Sequence, residues 1–225
     1  LGAYSHIAAN NLFKEAEIKT CATFEETFKK AYEDDSYKII IPIENSLAGR
    51  VADIHYLLPK YKLQIHGEYF LNVEHNLLSK PEAKIENIKF VRSHAQAIGQ
   101  CQKIINKHKF QSIISADTAG SAKDLSEGND TSIAAIASEL SAKIYKLKIL
   151  EKNIEDEKGN VTRFLIMGKN IEQPEMNSQK KFITSCIFRL KSEPSALYKC
   201  LGGFATNQIN LTKLESFSVK NTFDQ

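Results

Sequence analysis

The sequence predicts an α/β fold, and three observations lead to that prediction. Short runs rich in β-branched residues alternate with segments whose apolar residues recur at i, i+3 and i+4, the spacing of one helix face. A polar turn separates each run from the segment after it. The composition, with 42% hydrophobic and 25% charged residues, is that of a globular protein. Strands that alternate with helices favour largely parallel sheets.

Four strand–turn–helix units are predicted in order along the chain. Their strands are predicted at 37–43, 88–91, 112–116 and 131–134. A helix follows each strand, and the last helix, rich in small residues, is predicted at 135–145. The apolar run 164–167 predicts one further buried strand.

Polar residues gather where the predicted strands end. They form the turns 44–46, 93–96 and 117–120, and Thr162 and Arg163 stand at the mouth of the last strand. Open α/β sheets bind ligands at this edge, where free N–H groups and helix dipoles favour an anion. Any single turn is more simply a helix cap, but several together predict one shared cleft. Arg163 then either faces solvent or meets an anion, because an unpaired guanidinium is costly to bury.

Composition and motifs argue against several other function classes. The net charge of +3 is too mild to indicate nucleic-acid binding. No apolar run approaches a membrane span and no secretory leader is visible, so a cytoplasmic protein is expected. Histidines without ligand spacing and scattered cysteines argue against a metal site. No Walker loop, GxGxxG, HExxH or GxSxG pattern occurs. What remains is a cleft of hydroxyls, carboxamides and one arginine, suited to bind a small carboxylic acid and give it one proton.

The sequence changes character after Lys169. Residues 170–181 are polar and aperiodic and predict a linker. Strands are predicted at 182–190 and 209–217, with an amphipathic helix between them at 195–205. This β-α-β unit predicts the first half of a ferredoxin-like α+β module. Half a module is too small to hold a core, so further chain or a partner chain is expected to complete it.

Five stretches resemble the motifs of the prephenate dehydratase family, in family order. They are Gly2-Ala3-Tyr4-Ser5, then Pro42-Ile43-Glu44-Asn45-Ser46, then Ser93-His94-Ala95-Gln96 with Gln100-Cys101, then Asp117-Thr118-Ala119-Gly120, and finally Asn160-Val161-Thr162-Arg163-Phe164. Ala95 stands where the family has proline. One motif alone is weak, whereas the ordered set over residues 2–169 is specific.

The resemblance implies a two-lobed catalytic region similar to periplasmic binding proteins, at 1–169. One lobe is expected at about 1–71 and 152–169, and the other at about 72–151. A linker at 170–181 and an ACT regulatory domain at 182–225 would follow. The chain is expected to lack its first residues and the end of the ACT domain.

The resemblance also implies decarboxylative dehydration of prephenate to phenylpyruvate, water and CO2 in L-phenylalanine biosynthesis, without cofactor or metal. Thr162 would donate to the departing hydroxyl, while Asn45, Ser93 and Gln100 orient oxygens and stabilise charge. Arg163 would anchor a carboxylate, or alternatively form a salt bridge between the lobes. The remaining expected substrate contacts are Thr118, Ser46, Glu44, Tyr4, Ser5, His94 and Phe164.

The segment 209–216 is similar to the INLTKIES motif of ACT domains. Two departures stand out: Ser195-Ala196-Leu197 replaces the motif GAL, and Glu215-Ser216-Phe217-Ser218 replaces ESRP. The resemblance implies L-phenylalanine as an allosteric effector, bound by Ser195, Ala196, Leu197, Asn210, Leu211 and Glu215. It also implies a homodimer or homotetramer, with no nucleic-acid or membrane partner. Arogenate dehydration and a non-catalytic organic-acid or amino-acid sensor stay open as alternatives.

Overall fold

A computed structural model describes residues 1–170, 179 and 181–217 of the chain, without the side chains of residues 52 and 53. Within these residues nine strands run in chain order: β1 Ile39–Asn45, β2 Gly49–Arg50, β3 Gln64–Asn72, β4 Asn76–Ser79, β5 Phe90–His94, β6 Gln111–Ser115, β7 Ile133–Ala137, β8 Lys148–Glu151 and β9 Val161–Gly168. The α-helices are α1 Tyr4–Leu12, α2 Phe24–Glu33, α3 Ala52–Tyr61, α4 Ala95–Gly99, α5 Gln102–His108, α6 Thr118–Glu127, α7 Glu139–Ile144 and α8 Ala196–Thr206, with a short 3-10 turn at Ile85–Asn87.

The first sheet has the strand order β2-β1-β9-β3, and every pairing in it is antiparallel. The expectation of a largely parallel sheet is wrong here. β9 returns from the far end of the region and enters between β1 and β3, in the direction opposite to both. Alternate residues of these strands pack against α2 and α3 in one core, which includes Phe28, Ile41, Ile54, Leu165 and Met167.

The second sheet has the order β6-β5-β7-β4-β8 and is mixed. β5 runs parallel to β6 and β7, as the strand–helix alternation predicts, whereas β4 pairs antiparallel with β7 and β8. Its core lies under α4 and α5 and includes Leu77, Val91, Ile98, Ile104 and Ile136.

One helix boundary differs from the prediction. Residues 135–137, predicted as helix, complete the buried strand β7, and α7 begins only at Glu139. The Ser138 side chain sets the boundary by accepting a hydrogen bond from Ser141 N at 3.1 Å. Small residues suit a strand that is covered on both faces, so their helix propensity is overridden by burial.

Two crossovers join the sheets and are hydrogen-bonded to each other. The first follows β3 at 73–75, and the second, at 152–160, leads into β9. Val73 N donates to Asn160 O at 2.8 Å, and Ile154 N donates to His75 O at 2.9 Å. The connection between the two sheets therefore consists of two chain segments that are hydrogen-bonded to each other.

In the C-terminal part only the helix prediction is confirmed. The predicted strands at 182–190 and 209–217 are absent from the described residues, where both segments lack regular structure. A strand requires a hydrogen-bonding neighbour, and the two segments do not pair. Ile183 is 60% exposed and Ile187 52% exposed. The ferredoxin-like arrangement is therefore not seen, and most of the predicted linker lies outside the described residues. Among those described, no helix is both long and apolar enough to span a membrane.

Candidate active site

Asn45 and Thr162 face each other across the first sheet. They are register partners on β1 and β9, and a bulge between Pro42 and Glu44 brings them opposite one another. Asn45 Nδ2 donates to Thr162 Oγ1 at 3.0 Å. Thr162 is 8% exposed and Asn45 is half-buried, so the threonine end of this bond is largely shielded from water.

The orientation of the Asn45 amide follows from its other contacts. Its Oδ1 accepts from Leu47 N at 3.0 Å and from Ala48 N at 2.8 Å, in the turn after β1. A backbone N–H only donates, so the atom facing these two groups is an oxygen. Nδ2 therefore points to Thr162, and the Thr162 oxygen is an acceptor in this pair.

Asn160 and Gln100 extend the contact toward the second sheet. Asn45 Nδ2 also donates to Asn160 Oδ1 at 2.6 Å, and Asn160 Nδ2 donates to Gln100 Oε1 at 2.8 Å. Asn160 is 3% exposed and belongs to the second crossover, whereas Gln100 follows α4. The backbone carbonyl of Gln100 accepts from Asp156 N at 2.7 Å, which fixes Gln100 to the same crossover.

His75 and Tyr4 end this line of contacts. His75 Nε2 lies 2.9 Å from Gln100 Oε1, and His75 Nδ1 lies 2.8 Å from the Tyr4 hydroxyl. Burial lowers the pKa of His75, against smaller opposing effects of the Gln100 hydrogen bond and the Glu155 charge. Burial also raises the pKa of Tyr4. Both groups are therefore neutral at neutral pH.

Two donor groups of this cluster remain available to a ligand. Within the described residues, neither the Thr162 hydroxyl hydrogen nor the Gln100 Nε2 group has a hydrogen-bond acceptor. One group is a hydroxyl whose oxygen already accepts a hydrogen bond from Asn45, and the other is a carboxamide NH2 group. Such a pair suits an oxygen-bearing ligand that takes up a proton. The described residues contain no cluster of three or more His, Cys, Asp or Glu that could hold a metal ion.

Comparison with known proteins identifies the family of this chain. The sequence matches the prephenate dehydratase family over residues 1–172, a stretch that contains both sheets and the whole cluster. The chain belongs to the prephenate dehydratase family. The family consists of hydro-lyases.

Several relatives show how far the similarity extends. A bifunctional N-acyl-homoserine lactone acylase/prephenate dehydratase of Komagataeibacter europaeus is 36% identical over 99% of this chain and 79% of its own length. Arogenate dehydratase/prephenate dehydratase 2 of Arabidopsis thaliana is 40% identical over 96% of this chain, which spans 56% of that protein. The solved prephenate dehydratase of Arthrobacter aurescens, in complex with L-Phe, superposes with a TM-score of 0.85 at 23% identity, over 99% of this chain and 74% of its own, and shows the shared fold.

Arg163, the neighbour of Thr162 in the family motif, lies on the opposite face of the sheet. Successive residues of a strand alternate between faces, so the two side chains diverge. Arg163 Nε donates to Glu68 Oε2 at 2.7 Å, and its NH2 group lies 2.6 Å from the same oxygen. Glu68 belongs to β3 of the same sheet. Arg163 is thus paired within its own sheet in this structure, and its expected role as a carboxylate anchor stays a prediction.

Two other expected site residues are buried. Ser93 is fully buried on β5, and its hydroxyl donates to Ile136 O at 2.7 Å across the sheet. Phe164 is 1% exposed and packs with Ala8 and Leu71 under α1. Neither side chain is exposed in this structure, and the expectations that Ser93 orients a substrate oxygen and that Phe164 touches substrate stay predictions.

Glu44 meets the C-terminal segment instead of the Thr162 cluster. Lys213 Nζ lies 2.6 Å from Glu44 and 3.1 Å from Glu215. Glu215 also lies 3.3 Å from His55 Nε2, a close approach that is not aligned as a hydrogen bond. Arg50 donates to Ser216 O at 2.9 Å. The segment 213–216 therefore packs against the face of the first sheet opposite Thr162, and Glu215 lies beside His55 of α3.

The remaining expected substrate contacts have local roles. Ser46 accepts from Val161 N at 2.9 Å and donates to Gly159 O at 3.1 Å, fastening the turn after β1 to the start of β9. His94 Nδ1 caps α4 by accepting from Gln96 N at 3.2 Å.

Thr118 is half-buried at the first position of α6, and Ser5 is half-buried on α1. The expected effector residues Ser195, Ala196 and Leu197 stand at the start of α8. Asn210 and Leu211 are exposed after that helix.

Glu155 and Asp156 form hydrogen bonds with the backbone of neighbouring segments. Glu155 Oε2 accepts from His75 N at 3.0 Å. Asp156 accepts from Gln102 N at 2.8 Å and from Lys103 N at 2.9 Å, which satisfies the free N–H groups at the start of α5. These carboxylates therefore fix the crossover to the second sheet.

Sequence reasoning missed two members of the cluster. Asn160 lies two residues before Thr162, and the period-two alternation of a strand places both on one face, so the motif contained the signal. His75 carried no such signal. It is a single histidine between two predicted elements, and only the fold brings it to Gln100.

Proposed function

We propose that this chain converts prephenate to phenylpyruvate, water and CO2. The observation that carries the proposal is the Thr162 hydroxyl, which accepts a hydrogen bond from a fixed amide and keeps its own hydrogen for a ligand. Membership of the prephenate dehydratase family supports the same reaction.

In the proposed reaction the ring C–O bond of prephenate breaks and the hydroxyl leaves as water. Thr162 Oγ–H supplies the proton, and solvent restores it afterwards. The bond between the carboxylate carbon and the ring carbon opposite the hydroxyl also breaks. CO2 leaves, and the electron pair of that bond completes the aromatic ring. Aromatisation makes the reaction strongly downhill, so positioning and one proton donor suffice.

Asn45 addresses the weakness of threonine as an acid. Negative charge develops on Oγ1 as the proton departs, and the Asn45 Nδ2 group already points at that oxygen. A preorganised donor in a dry site stabilises developing charge without reorganising. Gln100 Nε2 is proposed to bind a substrate oxygen from the other sheet.

Nucleophilic acyl transfer, named in one relative, is a second candidate supported by the 36% identity to that protein. It would require an activated nucleophile. In the described residues Thr162 contacts the Asn45 carboxamide and no base, and burial raises the pKa of the Cys101 thiol. The geometry thus favours proton donation over amide hydrolysis.

The test is product formation by the purified full-length protein with EDTA present. Prephenate, arogenate and an N-acyl-homoserine lactone are supplied separately, and phenylpyruvate, phenylalanine and free fatty acid are measured. The proposal expects rapid phenylpyruvate formation. Preference for arogenate would shift the assignment to the alternative dehydratase. Tight prephenate binding without turnover would favour the sensor alternative.

We further propose that residues 1–169 form the catalytic region, with lobes at about 1–71 plus 152–169 and at about 72–151. The assignment of the two sheets to separate stretches of chain supports this division. Residues 182–225 are proposed to mediate inhibition by L-phenylalanine in a cytoplasmic homo-oligomer. Support comes from the 209–216 pattern, and L-Phe is named in the solved relative. Calorimetric titration with L-phenylalanine, alongside light scattering, tests both statements.

A further inference from the structure

His75 occupies a special place between the two sheets. It lies on the first crossover, three residues after β3, and is 3% exposed. Its backbone is held on both sides, by Glu155 Oε2 at its N–H and by Ile154 N at its carbonyl. A histidine buried at a junction and bonded at both ring nitrogens is well placed to transmit orientation to its neighbours.

The hydrogen-bond directions at His75 follow from the far end of the cluster. The Asn45 amide is fixed by the N–H groups of Leu47 and Ala48, so Asn160 presents its oxygen to Asn45 and its Nδ2 to Gln100. The Gln100 atom that receives Nδ2 is then its oxygen. That oxygen also faces His75 Nε2, so Nε2 carries a hydrogen.

The other ring nitrogen then depends on Tyr4. A neutral imidazole with hydrogen on Nε2 has an acceptor at Nδ1, and the Tyr4 hydroxyl at 2.8 Å donates to it. The same hydroxyl donates to Glu74 O at 2.9 Å, so its hydrogen is shared between the Glu74 carbonyl and Nδ1. The titratable groups that act on the His75–Tyr4 pair are Glu155, which affects both, and Glu74 and Cys101, which affect Tyr4.

We propose, resting on the dehydratase function above, that His75 is a positioning residue which holds the Gln100 carboxamide with its Nε2 group free for substrate. Two donors, His75 Nε2–H and Asn160 Nδ2, converge on one Gln100 oxygen. If the amide turned over, its NH2 group would face both donors. The orientation of the Gln100 amide is therefore set by His75 and Asn160 together. Through these contacts Gln100, which follows α4 on the second sheet, is connected to the Thr162 site on the first sheet.

Two substitutions separate positioning from mere packing. His75→Gln keeps an N–H donor near the place of Nε2, whereas His75→Leu fills space without a donor. The expected result is a loss of about 100-fold in kcat/KM for His75→Leu, the size of a misplaced binding group, and less than about 10-fold for His75→Gln. The exposed His66 supplies the control variant His66→Gln, expected at parent activity. Equal losses in the Leu and Gln variants, with thermal unfolding matched, would overturn the proposal.

A second measurement does not depend on turnover or on variant folding. Nitrogen-15 NMR of the parent protein at pH 7.5 is expected to show His75 protonated at Nε2 only, with Tyr4 bonded to Nδ1. A ring protonated at Nδ1 only would overturn the proposal, because Nε2 could not then donate to Gln100. Failure of the parent to convert prephenate would instead remove the proposed function, while the NMR result still decides the orientation of Gln100.

Discussion

Asn45 and Thr162 form a hydrogen bond of 3.0 Å although 117 residues separate them in the sequence. The pairing exists because β9, the last strand of the first sheet, inserts beside β1. The turn after β1 fixes the amide, and the amide fixes the role of the threonine oxygen. In the proposed reaction, Thr162 is a weak acid, and this arrangement gives it a donor aimed at the oxygen on which charge develops.

The Asn45 amide is expected to be worth a large factor in rate. Asn45→Asp preserves size but replaces the Nδ2 donor by an acceptor facing Thr162 and Asn160. A loss of roughly 10²–10³-fold in kcat is expected, as for removal of one preorganised donor. Steady-state kinetics of the variant measure this loss, and circular dichroism checks that the variant is folded. Retention of full kcat would contradict the role assigned to the amide.

The Arg163–Glu68 pair is expected to matter little for catalysis. It lies on the face away from Thr162, and both side chains are partly exposed. Arg163→Gln, Glu68→Gln and the double variant are expected to lower stability by about 1 kcal/mol or less and kcat/KM by less than about five-fold. A large rise in KM confined to the Arg163 variants would show instead that Arg163 anchors a substrate carboxylate.

Phe164 is expected to act through the core. Because it is 1% exposed, Phe164→Ala leaves a cavity beside Ala8 and Leu71 and is expected to cost about 3–5 kcal/mol of unfolding free energy. Phe164→Leu is the milder control. Denaturant titration of both variants provides the comparison. An unchanged unfolding free energy together with weaker prephenate binding would place Phe164 in the substrate site after all.

Acid is expected to destabilise the fold through histidines whose pKa is lowered in the folded state. Burial lowers the pKa of His75, and also of His6 and His55, below the usual 6.5. The unfolded chain therefore binds these protons at higher pH than the folded chain does. The resulting stability is complete above pH 6.5 and is lost as the pH falls from there through the folded-state pKa values.

Urea midpoints at pH 7.5 and pH 5.5 test the His75 share of this effect. The parent is expected to lose more stability between the two conditions than His75→Gln, which has no titrating ring. His66→Gln, at an exposed position, is expected to behave as the parent. Identical losses in the parent and in His75→Gln would mean that His75 titrates as it does in the unfolded chain.

The sequence predicted much of this arrangement where one signal sufficed. Period and turn chemistry located the strands near β1, β5 and β6 and the helix α8. The motifs brought Asn45, Gln100 and Thr162 forward. The strand direction in the first sheet was mispredicted. β9 pairs antiparallel with strands far away in the sequence, and the local alternation of strands and helices carries no information about such pairing.

The placement of the site side chains was unpredictable for a similar physical reason. Ser93 and Arg163 belong to motifs, but strand alternation and cross-strand bonding decide which face each side chain occupies. The strands predicted at 182–190 and 209–217 have suitable patterns but no pairing partner among the described residues. The position of His75 beside Gln100 depends on hydrogen bonds between the two crossovers, which no local sequence pattern predicts.

The most direct test of the central claim is the rate of phenylpyruvate formation by Thr162→Val beside Thr162→Ser. Valine keeps the branched shape and removes the hydroxyl, whereas serine keeps the hydroxyl. With a proton donor at Oγ1, kcat is expected to fall by roughly 10²–10⁴-fold in the valine variant and by less than about 10-fold in the serine variant. A folded valine variant that turns prephenate over at the parent rate would contradict the claim.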